Sequence, residues 1–230
     1  MRNFSRWAGA LVLAESLLIF VPMAVLGAAI DWPASLDEPA ATLLPKLHAQ
    51  AAAVQAGYSA YLLYSLLILP VAVVLLRWAG IAASSAAGVA TLALATASVA
   101  FRAVGILRWL TVMPALAAAH AGAGAAERAT IEQLFSGLNV YGGALGELLG
   151  VSLFTAAWIS VALSAAWHQA AFPRWLAVFG FLAGAALLAI WLPVYGVDPP
   201  GLITLTVSVF QFWLMALGLR MLLGRTPAAQ

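Results

Sequence analysis

The chain has 230 residues, of which 65% are hydrophobic and only 8% charged, with mean hydropathy +1.03. A soluble domain carries about 25% charged residues, and a soluble fold this apolar would expose greasy patches and aggregate, so the composition selects a bilayer as the solvent. The formal charge of +2 is spread over scattered basic residues, which excludes a nucleic-acid surface, and the lack of cysteine excludes disulfides, thiolate metal sites and cysteine nucleophiles.

Six segments reach the roughly 20 apolar residues that a spanning helix needs. The predicted fold is therefore all-α, a polytopic transmembrane bundle forming one integral membrane domain over 1–230. The first helix is expected at 7–29, with Glu15 inside it and Pro22 as a kink. Its basic start resembles a signal peptide, but the apolar core is long and holds an acid, so the helix is read as retained. A long loop, 30–56, follows with Asp31-Trp32-Pro33 and Asp37-Glu38-Pro39, then Lys46 and His48. The second helix covers 57–76, with Pro70 expected to kink it as Pro22 does the first. The third, 81–110, is overlong and is expected to leave the membrane near Arg108 and break around Pro114. In the next loop, 111–138, residues 126–138 read as a short amphipathic helix with Ile131, Leu134, Phe135 and Leu138 on one side, lying on the membrane or capping the bundle. The remaining helices fall at 139–166, 175–195 and 201–223. Short connections make tight hairpins of helices two and three and of helices four and five.

Orientation follows from arginine and lysine bias. With both termini cytoplasmic, Arg2, Arg6, Arg77, Arg174, Arg220 and Arg225 lie inside, and only Lys46 and Arg128 lie outside. The composition, nine arginines against one lysine amid much alanine, fits a GC-rich bacterial genome. The expected location is the bacterial cytoplasmic (inner) membrane. Arg-Trp pairs at 6–7, 77–78, 108–109 and 174–175 read as interfacial anchors rather than as a repeat.

Two constellations stand out. Gly142, Gly146 and Gly150 recur every four residues on helix four, and Gly180 and Gly184 do so on helix five. Small residues at this spacing let another helix backbone approach closely, inside the bundle or in a partner. The second constellation is ionisable. Arg102 and Glu147 each lie about 12 Å deep from the outer side, at about 1.5 Å per residue, and charges at that depth face a partner or a wet cavity. Opposite charges at equal depth predict a pair. One reading is a structural salt bridge that fixes helix register. The other is the floor of an outward pocket lined by Asn139, Tyr141, Trp109, Trp191 and Tyr195. Arg108 points about 120° away from Arg102 and is expected to snorkel to the interface. Glu15 lies too near the inner side to meet Glu147; with Gln211 it forms a second polar point, as a protonated acid, as one hydrogen-bonded to Ser16, Gln211 or a neighbouring serine or threonine, or as a step in a proton path.

His48, His120 and His168 are dispersed, so no bis-histidine haem pair is expected, and no metal or cofactor motif is present. An intramembrane enzyme would rest on Glu147 and Arg102 alone, without a nucleophile or metal set. The chain is read as non-enzymatic.

Arg6-Trp7-Ala8-Gly9-Ala10-Leu11, and Phe172-Pro173-Arg174-Trp175-Leu176 running on through Gly180 to Gly184, resemble the domain-of-unknown-function-4386 family of uncharacterised bacterial six-helix membrane proteins. In that family a similar Pro-Arg turn leads into a glycine-spaced helix, and the layout of long outer loops is also similar. The resemblance implies the six-helix fold and no particular activity.

The functional expectation is an integral membrane protein whose outward polar pocket binds or moves a small amphipathic molecule or lipid. The alternative is a structural or accessory subunit of an envelope complex. It would use the glycine face and outer loops against a membrane-protein partner or a second copy. Inner-half polarity is thin, which weakens transport.

Overall fold

The computed structural model describes residues 2–170 and 172–224; Arg225, counted above on the inner side, lies outside them. Among the described residues all regular structure is helical. Six helical runs are long and apolar enough to cross a membrane: Asn3–Ile30, Ala51–Trp78, Ala86–Gly122, Ala125–Trp167, Arg174–Tyr195 and Leu202–Leu223. The chain is a multi-pass membrane protein.

Proline places two of the internal breaks. The first span divides into α1 (Arg2–Leu18) and α2 (Phe20–Ile30), because Pro22 has no N–H to give the Leu18 carbonyl. A short helix, α3 (Ala40–Ala49), leads into α4 (Ala51–Trp78), which runs on through Pro70. The third span begins five residues later than its hydropathy suggests. The Ser85 hydroxyl accepts the Gly88 N–H at 3.1 Å and caps α5 (Ala86–Leu110), and 81–85 form the turn after Gly80. As expected, the run then breaks next to Pro114, at Thr111, and continues as α6 (Val112–Gly122).

The fourth span departs most from expectation. The amphipathic segment and the spanning helix are one run of 43 residues: α7 (Ala125–Ala144), a π-helical stretch Leu145–Phe154, and α8 (Thr155–Trp167). At ~1.5 Å per residue this is about 65 Å, twice the hydrocarbon thickness, so α7 and α6 project from the bilayer as an antiparallel hairpin. α3 packs on both and completes a cap. Ile131 and Phe135 are buried in it, whereas Leu134, expected on the same side, is 52% exposed. Lys46 Nζ holds both Glu38 oxygens at 2.6 and 2.8 Å, and His120 Nε2 lies 2.9 Å from Glu132 Oε1. The chain closes with α9 (Arg174–Leu188), a 3-10 stretch Ala189–Tyr195, and α10 (Leu202–Leu223).

The six spans pack as a ring, each against its sequence neighbours and the first against the sixth. One buried cluster fills the half nearer the described ends of the chain, around Trp158, Trp213 and Leu75. A second joins the cap to the bundle, around Leu26, Leu43, Tyr58, Trp109 and Phe135.

The glycines set the close approaches. A Cβ on Gly105 would lie 2.8 Å from Gly146 Cα; one on Gly150 would lie 2.7 Å from Arg102 N; and one on Gly142 would lie 2.6 Å from Arg108 Cδ. The helix-four stripe is therefore spent on helix three. Gly180 faces Leu163 and Trp213, and Gly184 faces Ala156, so the helix-five pair is spent inside the bundle as well. All five glycines are buried. Gly9 meets the backbone of Gly218 and Leu222 where the first and sixth spans cross, a third small-residue contact that no fixed spacing in the sequence announces.

Candidate functional site

The close packing of α5 on the π-helical stretch decides which polar groups meet. Gly146 sits on Gly105 and Gly150 on Arg102, so Arg102 lies opposite Gly150 and not opposite Glu147. The expected Arg102–Glu147 ion pair is absent among the described residues. The structure instead separates the two charges into a deep, inner polar centre in the middle of the bundle and an outer one nearer the cap.

The inner centre brings together polar groups from five of the six spans in two hydrogen-bonded sets. Arg102, 3% exposed, donates through Nη2 to Thr155 Oγ1 at 3.0 Å. The Thr155 and Ser98 hydroxyls lie 2.9 Å apart and share the Gly150 carbonyl, at 2.9 and 2.8 Å. Side chains thus occupy a carbonyl inside the π-helical stretch, which ends where Thr155 begins α8. Hydroxyls inserted into the ladder are an identifiable cause of such a distortion. Arg102 also approaches the Tyr64 hydroxyl. That hydroxyl donates to Gln211 Oε1 at 3.0 Å, and Gln211 Nε2 donates to the Ser16 carbonyl. Next to Ser16 stands Glu15, fully buried, with neither carboxyl oxygen hydrogen-bonded, and with Arg102 as its nearby cation.

The outer centre gathers around Arg108. Instead of snorkelling, this side chain folds over Gly142, donates through Nη1 to the Gly105 carbonyl at 2.8 Å and through Nη2 to Asn139 Oδ1 at 3.2 Å. Asn139 in turn donates to the Leu36 carbonyl at 3.3 Å, tying the loop after α2 to helix four. Glu147 is partly buried and lies within Coulombic range of Arg108, Tyr58 and Asp37, yet makes no ion pair or side-chain hydrogen bond among the described residues. Arg108 Nε is buried and unpartnered.

Of the other residues expected at a pocket mouth, Trp109 is buried, stacked on Tyr58 with centroids 4.9 Å apart. Tyr141 and Tyr195 are 67% and 75% exposed and Trp191 is partly exposed; none of the three joins the described hydrogen bonds or aromatic pairs. Two concavities, about 430 and 580 Å³, lie elsewhere. One is at the α4–α5 turn beside Arg77 and Gly80, the other between α8 and α9 beside His168. Neither includes Arg102 or Glu147.

Sequence reasoning passed over Arg108 as an interfacial charge and did not single out Tyr58, Tyr61 and Tyr64. Their i, i+3, i+6 spacing puts all three on one stripe of α4. Tyr61 stacks on Tyr64 at 6.0 Å and meets Trp32 edge-on at 5.7 Å, so this stripe runs from the outer centre to the inner one. Among the described residues no cluster of metal-ligating side chains occurs.

The family described as a domain of unknown function (DUF4386) matches residues 7–223. No curated protein matches, and no solved structure does.

Proposed function

The chain belongs to the DUF4386 family, and we propose that it binds a small amphipathic molecule or lipid at the outer polar centre, with its termini in the cytoplasm. The observation that carries this reading is the unspent polarity there. Glu147 lies within Coulombic range of Arg108 without pairing with it; the carboxylate makes no side-chain hydrogen bond among the described residues, and Arg108 Nε is buried and unpartnered. Charged groups held at that depth are costly and mark ligand or ion sites when they are not paired off. A head group bearing both a donor and an acceptor would satisfy Glu147 and Arg108 together, and Trp32, Tyr58 and Tyr61 would take its apolar part. The accessory-subunit alternative loses its main support, because Gly142, Gly146 and Gly150 are covered by α5.

Native mass spectrometry of protein extracted gently from its own membrane tests the proposal. Wild type should carry an added mass that Glu147→Gln loses and that the cap variant Glu132→Gln keeps. The mass itself separates a membrane lipid from a free amphiphile. A bare wild type, or an adduct retained equally by Glu147→Gln, overturns the reading.

A further inference from the structure

We infer that Glu15 is an exchangeable proton-binding site in the middle of the bundle, distinct from the outer centre. Its carboxyl is fully buried and has no hydrogen-bond partner on either oxygen. An ionised carboxylate so placed would go without the water and the donors that stabilise its charge, at a cost of several kcal/mol. A proton on the carboxyl removes that charge. The surroundings also supply what the ionised form would need. Of the titratable or charged groups facing Glu15, α5 contributes Arg102 and α4 contributes Tyr64; α10 contributes neutral Gln211, and α2 has no titratable side chain.

Arg102 is engaged by Thr155 through Nη2 while its Nε is buried and unpartnered. Release of the Glu15 proton creates an anion within Coulombic range of a guanidinium that keeps an unpartnered donor. The proton and Arg102 are thus alternative partners for one carboxyl. Tyr61 stacks on Tyr64 between this centre and the outer one.

A lipid-soluble carbodiimide reports on this directly. It adds to a protonated carboxyl in an apolar setting without loss of atoms, and the adduct is located by peptide mass spectrometry. Wild type in native membranes should be modified at Glu15 near neutral pH, Glu147→Gln should be modified there equally, and Glu15→Gln should lose the adduct. Labelling should fall about tenfold per pH unit once the site empties. Infrared difference spectra of wild type minus Glu15→Gln check the same point without a reagent. They should show a protonated-carboxyl carbonyl band near neutral pH that disappears on alkalinisation. A Glu15 that reacts only after unfolding in detergent, with only carboxylate bands in the spectra, overturns the inference. So does a carbonyl band that no pH removes. These outcomes are independent of whether a ligand binds at Glu147.

Discussion

Gly105→Leu is expected to cost about 3 kcal/mol or more of stability, and in membranes to abolish most folded protein. Overpacking of a well-filled core typically costs about 1–3 kcal/mol, where neighbouring side chains can give way. Here the obstacle is backbone, since a Cβ would stand 2.8 Å from Gly146 Cα and 3.1 Å from the Gly142 carbonyl oxygen. Helices three and four would have to separate, and both polar centres are built across that contact. Gly137→Leu is the matched control: nothing lies within 4 Å of its added Cβ, and the helix gains from losing a glycine. Unfolding in mixed micelles, followed by near-ultraviolet circular dichroism, should show the first variant strongly destabilised and the second unchanged or slightly improved.

The second large effect is expected from Thr155→Val, a change of one polar atom at nearly constant volume. Thr155 is the acceptor for the Arg102 guanidinium, which is otherwise buried against Tyr64 and Glu15. Its loss strands a buried charge, at about 3 kcal/mol for a hydrogen bond to a charged group. The charge, not the missing hydroxyl, causes the damage, so Arg102→Met added to Thr155→Val should restore more than half of the lost stability. A double-mutant cycle by the same unfolding measurement checks this. Additive losses would show that Arg102 and Thr155 are not coupled.

The spans were legible because hydropathy is a direct statement about solvent, and Pro22 and Pro114 were legible as breaks because a missing N–H acts locally. Ser85 was hidden in an apolar approach, so its cap moved the start of α5 without changing the hydropathy profile. The Arg102–Glu147 pair was inferred by counting depth from residue 139, yet the helix begins at Ala125 and its register is set by glycine contacts rather than by charge. With Gly146 on Gly105, the arginine at Glu147's end of the contact is Arg108, and Arg102 falls to Thr155. The π-helical stretch left no trace in periodicity. Its Gly150 carbonyl is occupied by Ser98 and Thr155, residues from two helices that meet only after folding. Glu15 was visible as a buried acid near Ser16 and Gln211, but its lack of any hydrogen-bond partner is a property of the packed bundle.

The central claim is that Glu147 belongs to a site open toward the capped, outer end of the bundle. The chain has no cysteine, so a single introduced thiol is a clean probe. Glu147→Cys, in sealed vesicles of known orientation, would be treated with a membrane-impermeant maleimide from either side. The account predicts reaction from the face that carries α3 and the α6–α7 hairpin, with the termini on the opposite, cytoplasmic face. A thiol that reacts only from the terminal side, or from neither side while a lipid-soluble maleimide still reaches it, would contradict it.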